Sequence, residues 1–70
     1  MTIEVRDKRF GVIAVEKGFI SKEQLFEAIK IQIDEDLQSM PHRLIGRILI
    51  RLGYLTDGQA QEVLVDMRKK

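Results

Sequence analysis

Apolar residues recur along this chain at helical spacing, and the pattern is written twice. Phe10, Ile13 and Ala14, followed by the stem of Lys17, place an apolar stripe on one face of a helix. Gly18 stops that helix, because glycine enters the left-handed conformation without steric cost. Phe19 and Ile20 lead to Ser21, an N-cap with Gln24 three residues on, which is the spacing of a capping box. Leu25, Phe26, Ala28, Ile29, Ile33 and Leu37 then predict the buried stripe of a longer helix. Asp34, Glu35 and Asp36 blur its end, since negative charge is unfavourable at a helix C-terminus. In the second half, Pro41 falls in the first turn of a helix whose buried stripe is Leu44, Ile45, Ile48, Leu49 and Leu52. Gly53 stops it, Tyr54 and Leu55 cross over, and Thr56 with Gln59 makes a second capping box. Ala60, Val63, Leu64 and Met67 line the last helix.

The two halves align at an offset of 35 residues, with Gly11/Gly46, Ile13/Ile48, Gly18/Gly53, Gln24/Gln59 and Glu27/Glu62 identical. An internal repeat is one supersecondary unit used twice, each copy too small to bury its own apolar face. The expected fold is therefore all-α: a compact bundle of four helices built from two helix–turn–helix units. The units cover residues 9–32 and 44–67 of a single domain spanning 1–70, with an acidic connector around residues 34–42. Thr2 to Val5 alternates polar and apolar, which suits an extended arm packing Ile3 and Val5. Gly11 and Gly46 sit inside the first helix of each unit, where glycine costs roughly 1 kcal/mol relative to alanine. Their presence calls either for close helix–helix contact or for close approach of a ligand to the backbone.

Composition narrows the function more than the fold. A chain of 70 residues is near the size at which one core only just outweighs chain entropy, and it has no cysteine to add a disulfide or a thiolate metal site. A formal charge of +1 argues against a nucleic-acid polymer as partner, because non-specific binding needs a strong basic field. The apolar run Val12–Val15 is too short for a signal-peptide core, and nothing approaches membrane-spanning length. The expectation is a cytoplasmic protein without membrane insertion.

Arg9, Phe10, Gly11, Ala14, Gly18, Leu25, Ile29 and Gln32 stand in a specific order and spacing. That order resembles the motif of the MshEN-type domain, in which arginine, leucine and glycine are followed by leucine, glycine, two leucines and glutamine. Such domains occur at the N-terminus of bacterial ATPases that drive type II secretion and type IV pilus assembly. Members with two intact motifs bind cyclic di-GMP. The resemblance implies that Arg9, Phe10, Gly11, Ala14, Gly18, Leu25 and Gln32 form half of a ligand site, with Ile45, Gly46, Leu49 and Gly53 contributed by the second copy. The chemistry suits a cyclic dinucleotide. Arginine forks two hydrogen bonds to phosphate or guanine, and glutamine offers a donor and an acceptor. The second copy departs from the motif at both polar positions, with Leu44 in place of arginine and Met67 in place of glutamine. Arg43 is one position away, a rotation of roughly 100° on a helix.

Arg43, Arg47 and Arg51 recur every four residues and would line one helix face. They form either an anion-binding strip or a solvated face paired with Asp34, Glu35, Asp36 or Glu62. His42, the single histidine, has no cysteine or second histidine for a zinc site. Gly53 and Gly58 have phosphate-loop spacing, but Gln59-Ala60 replaces the lysine and hydroxyl residue that such a loop requires. No catalytic constellation, metal site or cofactor is expected. The functional expectation is a non-enzymatic regulatory or interaction module that binds cyclic di-GMP weakly. The alternative is a degenerate module acting only on a protein partner or as a homodimer covering Phe19, Tyr54 and Leu55.

Overall fold

Four helices succeed one another among the described residues: α1 (Val5–Glu16), α2 (Lys22–Leu37), α3 (Ile45–Arg51) and α4 (Asp57–Arg68). The computed structural model describes residues 5–40 and 43–68. The fold is all-α, as the periodicity predicts. None of the described helices is long and apolar enough to cross a membrane. The expected arm is corrected at Val5, which already belongs to α1, while Thr2, Ile3 and Glu4 lie outside the described residues. Pro41 and His42 also lie outside them.

Local sequence sets the helix ends. Ser21 accepts from the Gln24 amide at 3.1 Å while the Gln24 side chain accepts from the Ser21 amide at 2.9 Å. Thr56 and Gln59 repeat the exchange, both bonds at 3.0 Å. Gly18 and Gly53 have φ of +79° and +83°, and the amides around each return to carbonyls of the last helical turn. Both are Schellman stops. The α2 terminus closes the same way without glycine: Ser39 takes φ +60°, its amide donates to the Asp36 carbonyl and the Met40 amide to the Glu35 carbonyl. The acidic connector expected at 34–42 is thus corrected, because α2 runs through all three carboxylates before it turns.

Packing between the units differs from a stack of two finished hairpins. α1 lies mainly on α4 and α2 mainly on α3, while contact inside each unit is smaller. Each unit therefore completes its core on the other. Phe10, Ala14, Ile20, Leu25, Ala28, Ile45, Ile48, Leu49, Leu55 and Val63 form one continuous buried cluster. Several expected stripe members lie outside it. Phe26 and Leu37 are 61% and 70% exposed. The buried face of α2 is defined by Leu25, Ala28 and Gln32, which leaves Phe26 and Leu37 on the far side. Leu44 and Leu64 are also exposed. Leu44 is the extended residue preceding α3 and so cannot share the helical stripe. Leu55 is buried, and Phe19 and Tyr54 pack against the core. Of these three only Leu55 is fully buried, and Phe19 and Tyr54 keep part of their surface exposed.

Gly11 and Gly46 both mark close packing. A Cβ on Gly11 would come within 2.5 Å of Leu25 Cδ1, and one on Gly46 within 2.9 Å of Phe10 Cζ. Gly11→Ala should lower stability by about 1–2 kcal/mol in urea denaturation, because overpacking outweighs the gain in helix propensity. Ser39→Gly should act in the opposite direction, raising stability by roughly 0.5–1 kcal/mol as it relieves the left-handed strain.

Candidate functional site

The motif residues converge on the interior. Phe10, Gly11, Ala14 and Leu25 are buried in the first unit, as are Ile45 and Leu49 in the second. Gly46 is half-buried under the Phe10 ring. Leu25 covers Gly11 in turn. Gly18 and Gly53 stand apart as exposed helix stops, and Arg9 is exposed on α1. Most positions that the resemblance assigns to a ligand therefore form the interface between the helices.

Gln32 gives this centre its polar chemistry. It is 2% exposed on α2, and its Nε2 donates to Asp7 Oδ2 and to the Arg43 carbonyl, both at 2.8 Å. Asp7, 3% exposed near the start of α1, also accepts from the Ile45 amide through Oδ1 at 3.4 Å. A carboxylate from α1 thus reaches the first amide of α3, where no local side chain provides a cap. Burying a carboxylate and an amide without partners would cost several kcal/mol, so their pairing is a condition of this packing. Asp7 was absent from the expected site. Its signal in the sequence is its place one turn before Phe10 and two before Ala14, a charge on an otherwise apolar row. Its repeat counterpart is His42, which gave the alignment no reason to select it.

The arginine strip is corrected by the short reach of α3. Arg43 precedes this helix, so neither the 100° rotation relative to Leu44 nor a shared face with Arg47 and Arg51 applies. Arg47 and Arg51 are exposed on α3. Arg43 instead forks onto Glu35: its Nε donates to Oε1 at 3.1 Å, and a second nitrogen contacts Oε2. This hydrogen bonding lowers the Glu35 pKa against the opposing effect of partial desolvation, with further attraction from the Arg43 and Arg51 charges. The pairing also offsets one of the carboxylates at the unfavourable end of α2. Lys17, just past the end of α1, pairs with Asp66 of α4 at 2.8 Å.

A groove of about 320 Å³ opens between α3 and α4, with α1 at its base. Phe10, Gly46, Ile50 and Ala60 line it together with the charged side chains of Asp7, Arg47 and Asp57. Ala60 is the counterpart of Leu25, but the place over Gly46 that corresponds to the seat of Leu25 over Gly11 is taken by the Phe10 ring. Among the described residues no cluster of three or more carboxylates, cysteines or histidines could hold a metal ion. Comparison of the chain with family models, curated proteins and solved structures finds no match.

Two measurements check the polar centre. Gln32→Met, which installs the residue found at the same place in the second unit, should cost about 2–3 kcal/mol in urea denaturation because it strands buried acceptors. Glu35→Gln should destabilise the chain at neutral pH. The folded-state pKa of Glu35 is depressed, so its contribution is present above the ordinary value of 4.5 and is lost as pH falls through the lower folded value. The difference between wild type and Glu35→Gln should shrink with acidification in a series of thermal melts.

Proposed function

We propose that this chain is a non-enzymatic interaction module of the MshEN kind, in which the polar motif groups fasten the fold instead of reading a nucleotide. The observation that carries this reading is the commitment of Gln32. Both of its donor bonds are spent on Asp7 and on the Arg43 carbonyl in a site with almost no exposure. A nucleotide could engage this amide only by displacing a buried carboxylate and the start of α3. The second copy offers no substitute. Leu44 and Met67 occupy the reading positions, and the neighbouring Arg43 guanidinium is engaged by Glu35. Arg9 is the one exposed polar group of the motif.

The module works by presenting a surface held by the interlocked units. Its partner class, on the strength of the resemblance, is a protein of a secretion or pilus-assembly system. Calorimetric and thermal-shift titration with cyclic di-GMP, with GTP as control, tests the reading. The expected result is neither heat nor a shift at millimolar ligand. A specific ligand at a hundred times its dissociation constant would add about 2.7 kcal/mol of stability. A shift of that kind that disappears in Arg9→Ala would overturn the proposal and make the chain a nucleotide sensor.

A further inference from the structure

Many of the bonds that hold this fold together run between its two units. Lys17 pairs with Asp66, and Glu35 with Arg43. Tyr54 donates to Glu27 at 2.7 Å, Gln32 to the Arg43 carbonyl, and the Ile45 amide to Asp7. The Phe10 ring sits over Gly46. Each of these contacts joins residues 5–37 to residues 43–68, as does the main packing of α1 on α4 and α2 on α3. None of them requires that both partners belong to the same molecule. The second unit of another copy would satisfy them equally.

The turn after α2 is what returns the second unit to its own molecule. The turns inside the units are built on Gly18 and Gly53, which take a positive φ without steric cost. At residues 38–40 the same task falls to Ser39, the one non-glycine with positive φ among the described residues. A Cβ in that conformation crowds the following carbonyl oxygen. The closed monomer therefore holds strain at the junction between its units. Leu37 and Met40 flank the strained residue and are 70% and 46% exposed. Were α2 to continue through the turn, these two side chains would stand three residues apart along one helix row.

We propose that the chain opens at residues 38–40 and exchanges its second unit with a second copy, giving a closed two-fold dimer. In that dimer α1 and α2 of one copy carry α3 and α4 of the other. The polar centre becomes shared, with Asp7 and Gln32 of one copy meeting the Ile45 amide and Arg43 carbonyl of its partner. Contacts inside each globule are unchanged, so the balance is decided at the hinge, where a short strained connection invites exchange. Opening relieves Ser39 in both chains. The two-fold axis also brings the two α2 ends together, where Leu37 and Met40 of each copy cover one another. Reciprocal exchange uses up both units, and assembly stops at two copies. A strictly monomeric chain would end this inference and leave the interaction-module reading standing.

Exchange requires the units to separate, so the test is refolding of the full chain from urea at micromolar and at millimolar concentration, followed by sedimentation velocity. The wild type should give monomer at the lower concentration and monomer with dimer at the higher. Ser39→Gly relaxes the closed turn and should weaken dimerisation by about tenfold or more, because each dimer contains two hinges. Ser39→Ala favours continuation of the helix and should strengthen it. Crossed charge reversals separate exchange from an ordinary surface contact. Lys17→Glu with Glu35→Arg alters only the first unit, and Asp66→Lys with Arg43→Glu only the second. Each double variant alone sets like charges against one another at both pairs and should melt below the wild type. Refolded together, they should form a mixed dimer with one globule native and the other fully reversed at these pairs. That dimer should exceed the share expected from random mixing and melt near the wild type, and a variant that fails to fold alone should be rescued by the other. A wild type that refolds only to monomer at millimolar concentration overturns the proposal. So do dimers indifferent to residue 39, growth beyond two copies, and variants that mix at random or fail to rescue one another.

Discussion

The buried contact between Asp7 and Gln32 is the constraint on which the remaining geometry depends. A carboxylate with almost no exposure is tolerable only with hydrogen-bond partners in place, and those partners come from two other elements. The Gln32 amide comes from α2 and the Ile45 amide from the start of α3, while Asp7 itself comes from α1. Satisfying that one group fixes the mutual position of three helices. The Arg43 carbonyl, bonded to the same amide nitrogen, fixes the path by which the chain enters α3. Apolar packing then proceeds around a point whose directions are already set, because hydrogen bonds are directional and burial is not.

Two glycines make this arrangement sterically possible. The Phe10 ring rests over Gly46 and the Leu25 side chain over Gly11, so each unit supplies a flat site for a large residue. The residues pressed onto those sites break the repeat. Leu25 comes from the same unit as Gly11, whereas Phe10 comes from the opposite unit to Gly46. The polar centre breaks it too, since Asp7 and Gln32 correspond to His42 and Met67. A nearly symmetric sequence therefore builds a molecule with one fastened side and one open side.

Much of the fold was legible from the sequence because it depends on local chemistry. Capping boxes at Ser21 and Thr56 and stops at Gly18 and Gly53 involve residues within a turn of each other, and their geometry follows from spacing. The buried faces were less legible. Phe26 and Leu37 share the helical period with true core residues, and only the position of α3 decides which side of α2 is covered. The start of α3 was misplaced for a related reason. Its first amide is capped by Asp7, 38 residues away, and no local pattern announces such a cap. At the candidate site, the alignment identified Gln32 as exceptional but not what it touches. Asp7 was visible only as a charge out of place on an apolar row.

The crossed pairing of helices has a consequence for how the chain comes into being. With α1 resting on α4 and α2 on α3, the first half has no complete hydrophobic surface to fold onto while it is being synthesised. Its apolar faces are completed by α3 and α4, so neither half closes a core by itself. A break in the segment joining the halves would leave two pieces that are unfinished separately yet carry complementary faces for one another. The molecule is, in this sense, a dimer of half-domains that happens to be covalent.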